Sequence, residues 1–276
     1  MGVFPSPFLF WKGLHLLLVG IHNFINSQPI LDPLLKSTIG LEIKSDSPAR
    51  LADQLYSSQL DMAMIPAVEY LRQANRFRLM PNISISSRKK VGTVLLVSKF
   101  PLNTIKSMAL DERSRTSIAL LSILFSKVFR AGLKLVRREP DLDKMLSLHD
   151  AALIIGDQAL GVSKKGLSIY DLSEEWFNQT GKTFVHAVIA VREEIKVESQ
   201  MIQTFLDAKK EGLERLESIA ESQANKTGKP LFLIRDYLKN KIRYDFGEEE
   251  MEGLIHFQSL CHDVGVIPKK YPLRFV

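Results

Sequence analysis

The residues with the clearest chemical potential are Asp111-Glu112-Arg113-Ser114-Arg115-Thr116-Ser117, set immediately before an apolar stretch, Ile118–Phe129. Hydroxyls at a helix start, just past the end of a strand, gather unspent backbone N–H groups and side-chain donors at one point. Such a point binds carboxylate or phosphate. The same spacing also suits plain N-capping among solvated charges. A second signal is Ile154-Ile155-Gly156-Asp157. A strand ending in Gly-Asp sets a carboxylate at the edge where open α/β sheets take their ligands, although Asp157 would equally cap the next turn. Asn26 lies in a turn after the first apolar run, where an asparagine serves either as a catalytic amide or simply as a turn former.

Other chemistries find no support. The six histidines (15, 22, 149, 186, 256 and 262) include no pair at ligand spacing on one helix face, and the single cysteine, Cys261, excludes both a disulfide framework and a multi-cysteine zinc site. The chain has no G-x-S-x-G elbow, no GxxxxGK[ST] loop and no GxGxxG turn. The expected chemistry is therefore cofactor-free. Thirty-seven Lys and Arg against 31 Asp and Glu give a net charge of +6. This excess is spread along the chain without interleaved aromatics, which points away from nucleic acid and toward a small anionic substrate.

The near-apolar run Val3–Ile21 is interrupted by Pro5, Pro7, Lys12 and His15, and no basic residue precedes it. It reads as neither a secretion signal nor a membrane span, so a cytoplasmic protein without a membrane partner is expected. Residues 1–13 are expected to be a flexible extension, with Leu14–Ile21 as a buried first strand.

Short apolar runs alternate with helical stretches, the pattern of an α/β fold. Strands are expected at Leu41–Ile43, Met62–Ile65, Ser107–Leu110, Lys134–Val136 and Ala151–Ile155, and helices at Ala67–Gln73, Ser114–Phe129, Asp141–Leu148, Leu231–Lys239 and Glu248–Asp263. Ser47-Pro48 opens another helix with a cap and a first-turn proline. Val91–Ser98 and Thr183–Val191 are too apolar for loops and read as crossings between two lobes. The expected organisation is residues 1–95 in lobe 1, 96–189 in lobe 2, and 190–276 returning to lobe 1 as mainly helices. A ligand cleft is then expected between the lobes.

Several blocks together resemble one family. They are VGIHNFINSQPI (19–30), SPARLADQLYSSQLDMAMIPAVEYL (47–71), SISSRKKVGTVLLVS (84–98), LDERSRTSIALL (110–121), PDLDKMLSLHDAALIIGDQAL (140–160) and YDLSEEWFNQTGKTFVHAV (170–188). These, with the tail at 237–267, resemble the chorismate dehydratases of the futalosine route to menaquinone. The resemblance implies a two-lobed periplasmic-binding-protein-like (type II) α/β fold. It also implies cofactor-free loss of water from chorismate, giving 3-[(1-carboxyvinyl)oxy]benzoate.

Carried onto this chain, the resemblance makes Asn26 and Thr93 catalytic, with threonine where the family has serine. It makes Ser114, Arg115, Thr116, Ser117 and Asp157 substrate-binding; Ser86, in the matched block 84–98, and His186, on the return crossing, are further substrate-binding candidates. The substrate's own enolpyruvyl carboxylate is then the base that removes the ring proton.

The chain departs from the family at Arg88-Lys89-Lys90, in place of an acidic-glycine turn; at Lys182, in place of proline; and at His186, where an aromatic or apolar residue is usual. The basic triplet would either draw in a dianion or form a solvated turn. His186 would be either a cleft donor or a buried strand histidine. Two other functions suit the same fold: a non-catalytic binding protein for an aromatic or carboxylate anion, and the related 1,4-dihydroxy-6-naphthoate synthase, which needs a cleft histidine.

Overall fold

The computed structural model describes residues 16–37, 40–126, 132–163 and 165–276. The expected extension 1–13, the first residues of the expected first strand and the expected helix end at Phe129 lie outside the described residues. The chain runs β1 (Leu17–Gly20), α1 (Gln28–Leu34), β2 (Leu41–Lys44), α2 (Pro48–Tyr56), β3 (Met62–Pro66), α3 (Ala67–Arg72) and β4 (Phe77–Ser87). It continues through β5 (Val94–Ser98), β6 (Ser107–Asp111), α4 (Thr116–Leu124), β7 (Lys134–Arg138), α5 (Leu142–Leu148), β8 (Ala151–Ile155), β9 (Ser168–Asp171) and α6 (Leu172–Thr180). It returns through β10 (Phe184–Arg192) to α7 (Ser199–Glu214), α8 (Leu216–Thr227), α9 (Leu231–Asp236) and α10 (Glu248–Asp263). Among the described residues, no helix is long and apolar enough to cross a membrane.

Two five-stranded sheets result, ordered β2-β1-β3-β10-β4 and β7-β6-β8-β5-β9. In each, three parallel strands are followed by an antiparallel one: β10 against β3 in the first, β5 against β8 in the second. β3 and β5 are buried at every residue, as continuous apolar runs require when helices cover both faces. Around the first sheet, α2 shows how local sequence makes an element. Ser47 accepts the Arg50 N–H at 3.4 Å, Pro48 fills the first turn, and Ala49, Leu51, Ala52 and Leu55 bury one face.

Each run that reads as a crossing starts in the segment where the chain changes sheet and continues as a strand of one sheet, Val91–Ser98 into β5 and Thr183–Val191 into β10. Among the described residues, β5 pairs with β8 and β9, and β10 with β3 and β4. The chain changes sheet on the short segments ahead of them, residues 88–93 and 181–183. β4 has no clear signature in the sequence, because Pro81 and the left-handed Asn82 (φ 58°) interrupt its pattern. Its pairing with β10 slips there and again beside His186, and an edge strand tolerates such breaks.

One carboxylate secures the first change of sheet. Asp171, buried at the end of β9, caps α6 by accepting the N–H groups of Ser173 and Glu174 at 3.0 and 3.2 Å. Its other oxygen accepts those of Val91 and Gly92 at 3.0 and 2.6 Å. Removing it leaves four donors to find water in a buried place. Asp171→Ala is therefore expected to lower stability by about 2–4 kcal/mol, read as a lower urea midpoint at unchanged slope. A midpoint equal to the parent's would contradict this.

Candidate active site between the two sheets

A narrow cleft lies between the sheets, the kind of place where two-lobed folds take small ligands. Its walls come from just past the carboxyl ends of parallel strands: His22, Phe24 and Asn26 after β1, Pro66 at the end of β3, Arg113–Ser117 after β6, and Gly156 after β8. The starts of the antiparallel strands add Thr93, Val94, His186 and Ala187. Open α/β sheets bind ligands at this edge, and here two such edges face one another.

Of the sequence-derived candidates, Asn26, Thr93, Ser114, Arg115, Thr116, Ser117 and His186 all line the cleft. Asn26 rides on a tight turn, Ile25–Ser27, leading directly into α1. Ser27 Oγ donates to the carbonyls of His22 and Phe24, and Gln28 Nε2 to Asn23 Oδ1 at 2.7 Å. The Oδ1 of Asn26 is itself buried without a partner among the described residues. Thr93 Oγ1 lies 3.1 Å from the Tyr237 hydroxyl, and the side chain of Asn26 reaches the same phenol. Burial pushes the Tyr237 hydroxyl upward, so it stays protonated. Sequence reasoning misses Tyr237, since it lies 144 residues from Thr93.

Ser86 and Asp157 need correction in detail. Arg115 lines the cleft, but its guanidinium spans the lobes, meeting Asp53 at 2.9 and 2.7 Å and Glu69 at 3.3 Å. Arg113 is likewise spent, in a bidentate pair with buried Asp111 at 2.9 and 2.7 Å. Among the described residues, the α4 N-terminus has no side-chain cap, and Ser114 Oγ beside it is buried and unpartnered. The donors left at this corner of the cleft are backbone N–H groups and the Ser114 hydroxyl.

Ser86 is off the cleft. Ile85 faces the cleft, and the two-residue period of β4 turns Ser86 toward Arg243. Ser87 is the serine on the site side, 2.8 Å from His186 Nε2.

Asp157 does not line the cleft either. It accepts the Ile25 N–H at 3.1 and 3.3 Å, reaching from the second sheet to the turn that carries Asn26. Burial raises its carboxyl, while this N–H and nearby Lys229 and Arg113 pull it back. Gly156 stands at φ 69°, and a Cβ there would approach the Phe24 ring to 3.2 Å. Arg113 covers the same ring at 5.4 Å. The Asn26 turn is therefore held partly by the opposite lobe.

His186 sits where the β10–β4 register shifts, a bulge that re-aims a side chain. Burial lowers both His186 and His22 to about 4, so both are neutral at neutral pH. The basic triplet stays outside the cleft: Arg88 pairs with Glu249 at 2.9 Å, and Arg88 and Lys89 lie over Phe177.

Residues 17–263 match the family model described as menaquinone biosynthesis. The chain belongs to the menaquinone-biosynthesis family. Curated relatives in that comparison include a chorismate dehydratase of Thermus thermophilus, 30% identical over 87% of this chain and 93% of the relative. Another, from Campylobacter jejuni, is 24% identical over 92% of this chain and 97% of the relative. Among solved structures, a protein from Archaeoglobus fulgidus superposes with a TM-score of 0.74 at 16% identity, covering 91% of this chain and 98% of its own. The periplasmic aliphatic sulphonate binding protein of Escherichia coli gives 0.62 at 16% identity, covering 93% and 95%. This member of the menaquinone-biosynthesis family thus has the two-lobed periplasmic-binding-protein-like α/β fold.

Proposed function

We propose that the protein is a chorismate dehydratase, a carbon–oxygen hydro-lyase acting without a cofactor on a small dianion in the cytoplasm. The observation that carries this is the cleft's supply of unspent, uncharged polar atoms. Among the described residues, Asn26 Oδ1, Ser114 Oγ and His22 Nδ1 are buried without partners, beside the open N-terminus of α4. Buried polar atoms go unpaired at a cost of about 1–3 kcal/mol each, and a ligand carrying both a hydroxyl donor and carboxylate acceptors satisfies them.

The reaction suits such a site. Chorismate loses the proton at C3 and the hydroxyl at C4, and aromatisation drives the change. Charge left at C3 spreads through the ring onto the ring carboxylate, where the α4 N–H groups and the hydroxyls of Ser114 and Ser117 meet it. The enolpyruvyl carboxylate is the first acceptor of the C3 proton, while Asn26 and Thr93, linked through Tyr237, orient that arm and the hydroxyl. Two histidines in the cleft also meet the requirement of the naphthoate synthase, but the curated relatives matched along the chain are dehydratases.

The test is to mix purified protein with chorismate, without metal or nucleotide, and follow products by mass. Loss of one water with new aromatic absorbance is expected, and unchanged chorismate would overturn the reading. Asn26→Ala and Thr93→Ala are each expected to lower kcat by at least about tenfold. Near-parental rates in both would remove the two residues from the site.

A further inference from the structure

The proton taken from C3 has to reach the departing hydroxyl, and the cleft holds a group placed for that. His22 lies two residues past β1 in the cleft wall, 3% exposed. Its carbonyl accepts Ser27 Oγ, so it is tied to the same bonded turn that carries Asn26. Its ring rests against Phe24 at 5.0 Å between centroids, and Phe24 in turn is covered by Arg113 of the other lobe. Both partners fix the imidazole without using its nitrogens.

The second cleft histidine differs on this point. His186 spends Nε2 on Ser87 at 2.8 Å and faces Ser173 at 3.5 Å, whereas His22 Nδ1 is buried with no partner among the described residues. A nitrogen left unpaired inside a protein is retained at a cost, and a ligand group is what meets it.

The substrate's stereochemistry supplies the other half. In chorismate the C3 ether and the C4 hydroxyl are trans, so the C3 hydrogen and the C4 hydroxyl share one ring face. Resting on the dehydratase reading above, we infer that His22 carries the abstracted proton to the departing C4 hydroxyl. The enolpyruvyl carboxylate takes the C3 proton, and the neutral imidazole accepts it from the carboxylic acid so formed. The imidazolium gives it to the C4 oxygen as the C4–O bond breaks. The electron pair left at C3 closes the new ring double bond, and water departs with the imidazole and the carboxylate both restored. An imidazolium in a site that disfavours its charge is a strong donor, and burial makes this site one of that kind.

Two variants test the assignment, each with melting temperature as a check on folding. His22→Phe keeps a ring against Phe24; His22→Ala leaves room for free imidazole. With chorismate as substrate, His22→Phe is expected to lose about 10²-fold in kcat at nearly unchanged KM. His22→Ala is expected to lose as much and to recover part of it with added imidazole. Parental kcat in a folded His22→Phe overturns the assignment, and so does a slow His22→Ala that imidazole does not rescue while a folded His22→Phe has raised KM alone. A wild-type protein that leaves chorismate unchanged overturns the dehydratase reading and this assignment together, whereas an active wild type with active variants overturns only the assignment.

Discussion

Asp157→Ala is expected to lower chorismate turnover by about 10²-fold although no atom of that side chain lines the cleft. The carboxylate receives the Ile25 N–H from across the lobes, and Asn26 is the next residue. Without it, that N–H loses its acceptor, and the turn is held from the second lobe only by Gly156 and Arg113 against Phe24. A shift of about 1 Å in a reacting group costs about 10²-fold in rate, and the Asn26 turn has no other polar anchor to the second sheet among the interactions described above. Asp157→Asn keeps an oxygen for the N–H and is expected to fall between the parent and alanine. The measurement is kcat for the three proteins at matched melting temperature. An alanine variant as fast as the parent would show that the contact is dispensable.

Acid is expected to destabilise the protein steeply below pH 6.5. His22 and His186 are held at about 4 by burial, against 6.5 for a free imidazole. Between these values the unfolded chain binds protons at both positions and the folded chain does not. Stability therefore rises with pH across this window, is fully present above 6.5, and is lost as pH falls toward 4. Each histidine contributes roughly 3 kcal/mol, or about 6 together, comparable to the whole stability of many domains. Asp157 and Asp171 act in the opposite sense: their carboxyls are raised by burial, so the fold takes up protons there more readily than the unfolded chain as pH drops. Their window begins nearer the carboxylate range and offsets only the acid end. Melting temperatures from pH 8 to 4.5 test the balance, with His22→Phe expected to show about half the decline. A flat curve between pH 7 and 5 would rule out two buried neutral histidines.

What is legible in the sequence is what is local. The hydroxyl-rich segment before α4 reads as a donor cluster because strand end, cap and helix start are adjacent in the chain. The fully buried strands β3 and β5, and β8 buried along all but its last residue, are readable from unbroken apolar runs. What escapes depends on distant partners. The Gly-Asp end of β8 is visible, but the donor that Asp157 meets lies 132 residues away at Ile25, so the direction of the side chain is not. Ser86 and Ser87 differ only by which face of β4 they occupy, and Pro81, Asn82 and the two slips of register erase the alternation that would mark that face. Arg115 has the chemistry of a substrate ligand until its acidic partners on α2 and α3 are brought alongside. His22 sits among turn residues, and only Phe24 and the opposing lobe make that turn buried.

The position of β10 also bears on how the molecule comes to exist during synthesis. The strands of the second sheet, β5 through β9, form one continuous stretch, 94–171, complete within itself. The first sheet is different: β10 lies between β3 and β4, pairing Val191 with Met62 and Phe184 with Ser87. Until residues 184–192 have left the ribosome, β3 and β4 have no neighbour to join them. The lobe that begins first is therefore completed last, after every strand of the other sheet has been made. Through that interval the apolar β3 depends on the nascent chain's other contacts for cover, a vectorial delay of more than a hundred residues written into the strand order.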